Sequence, residues 1–108
     1  MTVRSKRLGK LNVTPGDFRL LYTCPAGRTG ILKEYSLVPS GPGVARAVLA
    51  VVSGGDFAYI FDDALGRSIV GPRLGFVVLE PGDTIQVFCQ GAAIFAWCWG
   101  AELDGVAP

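Results

Sequence analysis

LYTCPAGRTGILKEYSLV, residues 21–38, is the stretch that decides the fold class. Two runs rich in β-formers flank a Pro-Ala-Gly corner. Pro presets one turn angle and Gly supplies the left-handed one, so the corner reads as a tight turn. The flanking runs read as strands, and the second carries apolar residues on both faces. Such a stretch is suited to packing. No histidine stands in it or anywhere else in the chain.

The same grammar repeats outward from this stretch. Turn signals fall at Thr14-Pro15-Gly16-Asp17, Pro39-Ser40-Gly41-Pro42-Gly43, Ser53-Gly54-Gly55-Asp56, Asp62-Asp63-Ala64-Leu65-Gly66, Gly71-Pro72, Pro81-Gly82-Asp83 and Gln90-Gly91. Turn signals spaced by roughly ten residues mark a sandwich or barrel. Between them the apolar period is two. Ile85, Val87 and Cys89 alternate with Thr84, Gln86 and Gln90; Phe57, Tyr59 and Phe61 alternate with Ala58, Ile60 and Asp62. This is the pattern of strands with distinct faces. No window reads as a helix. Fifteen Gly and seven Pro agree, because both residues are costly inside helices. The expected fold is an all-β antiparallel β-sandwich, jelly-roll-like, of about eight strands.

At 108 residues the chain is one domain. Half of it is hydrophobic and 18% is charged, which excludes a disordered chain. Residues 1–10 hold Arg4, Lys6, Arg7 and Lys10 and read as a basic N-terminal arm, a candidate tether, with the single sandwich domain at 11–108. No apolar segment follows the basic start, and no apolar run approaches the roughly 20 residues of a membrane span. A soluble chain made in a cytoplasm is expected, with no membrane partner. A net charge of +1 and four basic residues without interleaved aromatics make nucleic acid a weak candidate partner.

Several strands are apolar on both sides. Val48, Ala50 and Val52 oppose Ala47, Leu49 and Val51; the GFVVL run at 75–79 has no polar side. Phe95, Trp97 and Trp99 oppose Ile94, Ala96 and Cys98, and Phe88 lies between Gln86 and Gln90. A sandwich has one inner face per sheet, so the second apolar face must meet a subunit, a loop or a ligand. Phe88, Phe95, Trp97 and Trp99 are therefore the candidate core or interface aromatics. Trp97 and Trp99, roughly 6.8 Å apart along a strand, would also suit stacking on a sugar.

Catalytic chemistry is sparse. Without histidine there is no Ser-His-Asp or Cys-His arrangement and no His-ligated metal. No phosphate-binding glycine loop occurs. Asp62 and Asp63, with Asp56, could bind calcium, but DDALGR reads better as a hairpin turn. Glu80-Pro81-Gly82-Asp83 reads as a turn. If residues 90–93 form a hairpin, Cys89 and Cys98 lie about 13 Å out of register, beyond the roughly 7 Å a disulfide allows. Cys24, Cys89 and Cys98 are then buried thiols. Arg28 is expected in solvent or on a carboxylate of another subunit. The expectation is no enzyme, no cofactor and no metal.

The run Leu21-Tyr22-Thr23-Cys24-Pro25-Ala26-Gly27-Arg28-Thr29, the turn Leu79-Glu80-Pro81-Gly82-Asp83-Thr84-Ile85 and the closing Gly100-Ala101-Glu102-Leu103 carry a resemblance. Over residues 17–103 the chain resembles small β-sandwich virion proteins of tailed bacteriophages. Its Pro-Gly corner at 39–43 departs from the asparagine usual there. The resemblance implies a non-enzymatic structural component of the virion that oligomerises, with a trimer favoured. It would be a minor tail protein docked on neighbouring virion proteins. The alternatives it implies are a capsid decoration protein and a carbohydrate-binding module at the tail tip, meeting a host surface glycan.

Overall fold

The computed structural model describes residues 3–40, 43–65 and 70–104. Eight strands follow one another: β1 Val3–Val13, β2 Arg19–Thr23, β3 Arg28–Pro39, β4 Arg46–Ser53, β5 Asp56–Ala64, β6 Val70–Leu79, β7 Thr84–Gln90 and β8 Ile94–Asp104. They form two four-stranded sheets, β1-β8-β3-β6 and β2-β7-β4-β5, and every pairing is antiparallel. The expected all-β sandwich is present, in jelly-roll order.

The pairings explain the order. β4 pairs with β5, β3 with β6, β2 with β7 and β1 with β8. The chain is one long hairpin rolled up, with its tip at Gly54-Gly55. Both glycines have positive φ, 58° and 87°, which suits a two-residue turn between twisted strands. The Pro-Ala-Gly corner carries the chain from one sheet to the other. Gly27 has φ 74°, and the Arg28 amide donates to the Pro25 carbonyl at 3.3 Å. The corner is stapled to the late turn. The Cys24 amide donates to the Asp83 carbonyl at 2.9 Å, and the Gly82 amide to the Cys24 carbonyl at 3.0 Å. The two motifs that stand out in the sequence thus pack on each other.

The core lies between the sheets. Val13, Leu32, Leu37 and Ile94 from one sheet meet Leu49, Ile85 and Val87 from the other, all fully buried. Burying each such side chain stabilises by about 1.5–3 kcal/mol. On the outer side of the second sheet, Val48 and Ala50 are also buried. Phe18, from the β1–β2 connection, crosses this face and sets its ring against Phe57, Tyr59 and Phe88 at 5.2, 6.4 and 5.4 Å. A loop therefore covers part of the second apolar face.

Four expectations need correction. Residues 3–10 are no separate arm: they run within β1, which pairs with β8 from Val3↔Leu103 to Val13↔Ile94. Their charges suit an edge strand, where lysine and arginine discourage unwanted pairing. Gly71-Pro72 is no turn but lies inside β6, an edge strand where proline's missing N–H is tolerated. Asp62 and Asp63 are strand residues of β5; Gly66 and Arg67 of the DDALGR run, with Gly41 and Pro42 of the Pro-Gly corner, lie outside the described residues. The β7–β8 connection is no hairpin either. It crosses between sheets, so Cys89 and Cys98 sit in different sheets.

Candidate functional site

The outer face of the β1-β8-β3-β6 sheet gathers most of the residues singled out above. Along β8, Ile94, Ala96 and Cys98 point inward and are fully buried, while Phe95 and Trp97 are half-buried and Trp99 is 45% exposed on the other side. Phe95, Trp97 and Trp99 are thus surface aromatics; none belongs to the core between the sheets. Register supplies their neighbours. On β1, Arg7 stands opposite Trp99, Lys10 opposite Trp97 and Asn12 opposite Phe95. On β3, Glu34 stands opposite Trp99, Ser36 opposite Trp97 and Val38 opposite Phe95.

A bulge makes this arrangement. Strict alternation from Lys10 would turn Arg7 inward. The β1–β8 register shifts between Arg7 and Gly9, so Leu8 is the extra residue; it turns into the core and Arg7 turns out. A second shift, between Leu32 and Glu34, brings Glu34 to the outer face on the same rung. The result is an open groove of about 180 Å³ lined by Arg7, Lys10, Trp97 and Trp99. The Phe95 and Trp97 rings meet edge to face at 5.5 Å, and the Lys10 ammonium lies 5.2 Å from the Phe95 ring centre. Cation–π attraction holds Lys10 over the aromatic row. The ion pairs of the described residues engage neither Arg7 nor Lys10. The side chains of Arg4 and Lys6 lie outside the described residues.

The second outer face has its own aromatic group. Phe88 lies half-buried beside Phe18, while Tyr59 (56%), Leu20 (56%) and Phe57 (48%) are open to solvent. The period-two pattern places Phe61 with Phe57 and Tyr59, and this is corrected. The β4–β5 register shifts where Leu49 faces Phe61 and Ala50 faces Tyr59, making Ile60 the extra residue. Phe61 turns inward against Tyr35, with ring centres 6.4 Å apart.

The remaining candidates serve structure. Asp62 accepts a two-pronged ion pair from Arg46 at 2.8–3.0 Å across β4–β5. Glu80 and Asp83 close their turn: the Asp83 amide donates to the Glu80 carbonyl, and the Glu80 amide to an Asp83 carboxylate oxygen. Among the described residues no three His, Cys, Asp or Glu side chains gather as a metal site. Arg28 is corrected from a solvent or intersubunit residue to an internal one. Its guanidinium donates to Glu102 at 3.0 Å and lies 3.8 Å from Asp104. The Tyr22 hydroxyl donates to the other Glu102 oxygen at 2.6 Å, joining the two sheets. Sequence reading misses this pair, 80 residues apart. The only signal is a pair of carboxylates, Glu102 and Asp104, at the end of an otherwise apolar final strand.

The three cysteines are free and buried, as expected, but Cys89 and Cys98 are kept apart by lying in different sheets rather than by hairpin register. Burial pushes the Cys98 thiol up to about 12 from an ordinary value near 9, against a weaker lowering by a backbone hydrogen bond from Gly9. Burial raises Cys24 and Cys89 too, and raises the Tyr22 hydroxyl, with Glu102 adding to the last. A raised acid is stabilising only while it stays protonated. Its contribution is complete below the unfolded value and is lost as pH climbs toward the folded one. For Cys98 the window is about pH 9 to 12. The expected melting temperature is flat from about pH 6 to 8 and falls above about 9, Cys98 alone contributing about 1.4 kcal/mol per pH unit and the raised Cys24 and Cys89 acting in the same direction. Thermal melts across this range check it; a flat profile to about pH 11 would contradict the buried thiols.

No family model and no curated protein matches the chain.

Proposed function

We propose that the chain is a non-enzymatic structural component of a tailed-bacteriophage virion, a minor tail protein that oligomerises and docks on its neighbours. The observation that carries this reading is a pair of aromatic outer faces. The jelly roll already closes its core between the sheets, yet Leu20, Phe57 and Tyr59 stay open on one face and Trp99 on the other. Exposed apolar groups on both sides of a small domain suit a subunit that contacts one neighbour with each face. Large aromatics are the residues that anchor such contacts. A symmetric homo-oligomer, with a trimer favoured, would cover one face and leave the other for the particle. The likeness of the Pro-Ala-Gly corner and the Pro-Gly-Asp turn to tailed-phage virion proteins supports the same reading.

Gold-labelled antibody against this chain, on intact particles in negative stain, tests it. Label at the tail end is expected. Label spread over the head would replace the tail reading with capsid decoration. Absence of label from every particle would remove the virion reading.

A further inference from the structure

We propose that the Arg7–Lys10–Trp97–Trp99 groove binds a carboxylate-bearing sugar residue, as found in an acidic polysaccharide. The proposal stands on the groove's own chemistry and does not require the virion reading.

Three observations carry it. The first is shape. The groove measures about 180 Å³, below the roughly 300–1,000 Å³ of ordinary small-molecule pockets, so it accepts one ring-sized group. The second is the pairing of surfaces. Two indoles, spaced roughly 6.8 Å apart along β8, line the groove, and the electron-rich face of an indole attracts the weakly positive C–H face of a sugar ring. Beside them stand two cations that the ion pairs of the described residues leave unused. Arg7 presents a planar fork that matches a carboxylate, and Lys10 adds a point charge held over Phe95. The third is the bulge at Leu8. It turns Arg7 out of the core and beside Trp99, and bulges often re-aim a side chain in this way.

Glu34 gives the site a direction. It flanks Trp99 from β3, opposite Arg7 on β1. A sugar stacked on Trp99 would set its carboxylate toward β1 and its hydroxyls toward β3, where Glu34 can accept them. Single-stranded nucleic acid fits less well. It needs a basic track along several phosphates, whereas two cations and a net charge of +1 make no such track.

The chain's two tryptophans are both in this groove, so tryptophan fluorescence, excited selectively over the three tyrosines, reports on it. The test titrates the full chain with tetragalacturonate and with sialyllactose, and then with the neutral methyl ester of the first. Saturable quenching by at least one acidic probe is expected, with the ester about tenfold weaker or worse. Raising NaCl to about 1 M, where the Debye length is about 3 Å, should weaken acid binding strongly. Arg7→Ala should lower acid affinity about tenfold, or about 1.4 kcal/mol, at an unchanged urea midpoint. Trp99→Ala should abolish stacking on either sugar. Equal binding of acid and ester would overturn the proposal, as would silence toward both acidic probes. Tighter binding of a single-stranded oligonucleotide would also overturn it. Quenching that tracks protein concentration alone would assign the groove to a second copy of the chain.

Discussion

Replacing Gly100 with alanine should destabilise the protein by at least about 3 kcal/mol, the upper part of the range for forced overpacking. The reason is space. A Cβ at Gly100 would overlap the Ile31 carbonyl oxygen and come within 3.0 Å of the Leu8 side chain. The oxygen belongs to β3, which pairs with β8 along its whole length, so it cannot retreat without opening the ladder. A flexible side chain could yield; this backbone cannot. Gly82→Ala is the informative contrast. Gly82 has φ 88° and no atom within 4 Å of its would-be Cβ, so only the left-handed backbone is penalised, by about 1–2 kcal/mol. Urea midpoints of the two variants should differ in that order. Near-native stability of Gly100→Ala would mean that β3 and β8 do not approach so closely.

The second large effect is expected at Arg28. Glu102 is only 2% exposed, and the Arg28 guanidinium donates to it at 3.0 Å. Arg28→Ala removes one cation from a buried carboxylate. Breaking a buried pair in this way costs about 3–5 kcal/mol, and the low end applies because Arg28 is itself 30% exposed and water can enter. Neutralising Glu102 should restore part of the loss. Arg28→Ala/Glu102→Gln is therefore expected to be more stable than Arg28→Ala alone, in the same urea series. A double variant no better than the single one would show that Arg28 acts through packing, not charge.

The sequence conveyed the architecture well and the local register poorly. Alternation at Ile85/Val87/Cys89 and Ile94/Ala96/Cys98 names the inward faces of β7 and β8 correctly, because those strands are regular over the length concerned. Several errors sit at bulges. Ile60 parts Phe61 from Tyr59, and Gly71-Pro72 interrupts β6 without ending it; the bulge at Leu8 that turns Arg7 outward likewise carries no sequence signal. One inserted residue reverses every face beyond it, and nothing in a single sequence marks which residue is extra. The charges of β1 misled for a related reason: an edge strand need be apolar on one face only. Of the groove, Trp97 and Trp99 were legible and Lys10 was visible as charge. Their meeting with Arg7 depends on strand pairing between the two ends of the chain.

That pairing has a consequence in time. Of the eight strands β1 is made before all others and β8 after them, and each of the ten paired rungs from Val3↔Leu103 to Val13↔Ile94 joins an early residue to a late one. On the ribosome, β1 has no pairing strand until β8 has emerged. The indole groove and the sheet beneath it form together, once β8 is made. Sheets closed by such distant partners fold in milliseconds to seconds, slowly for a domain of this size. A premature stop before β8 would release a chain with an unpaired charged strand and an open core, a substrate for proteases and aggregation.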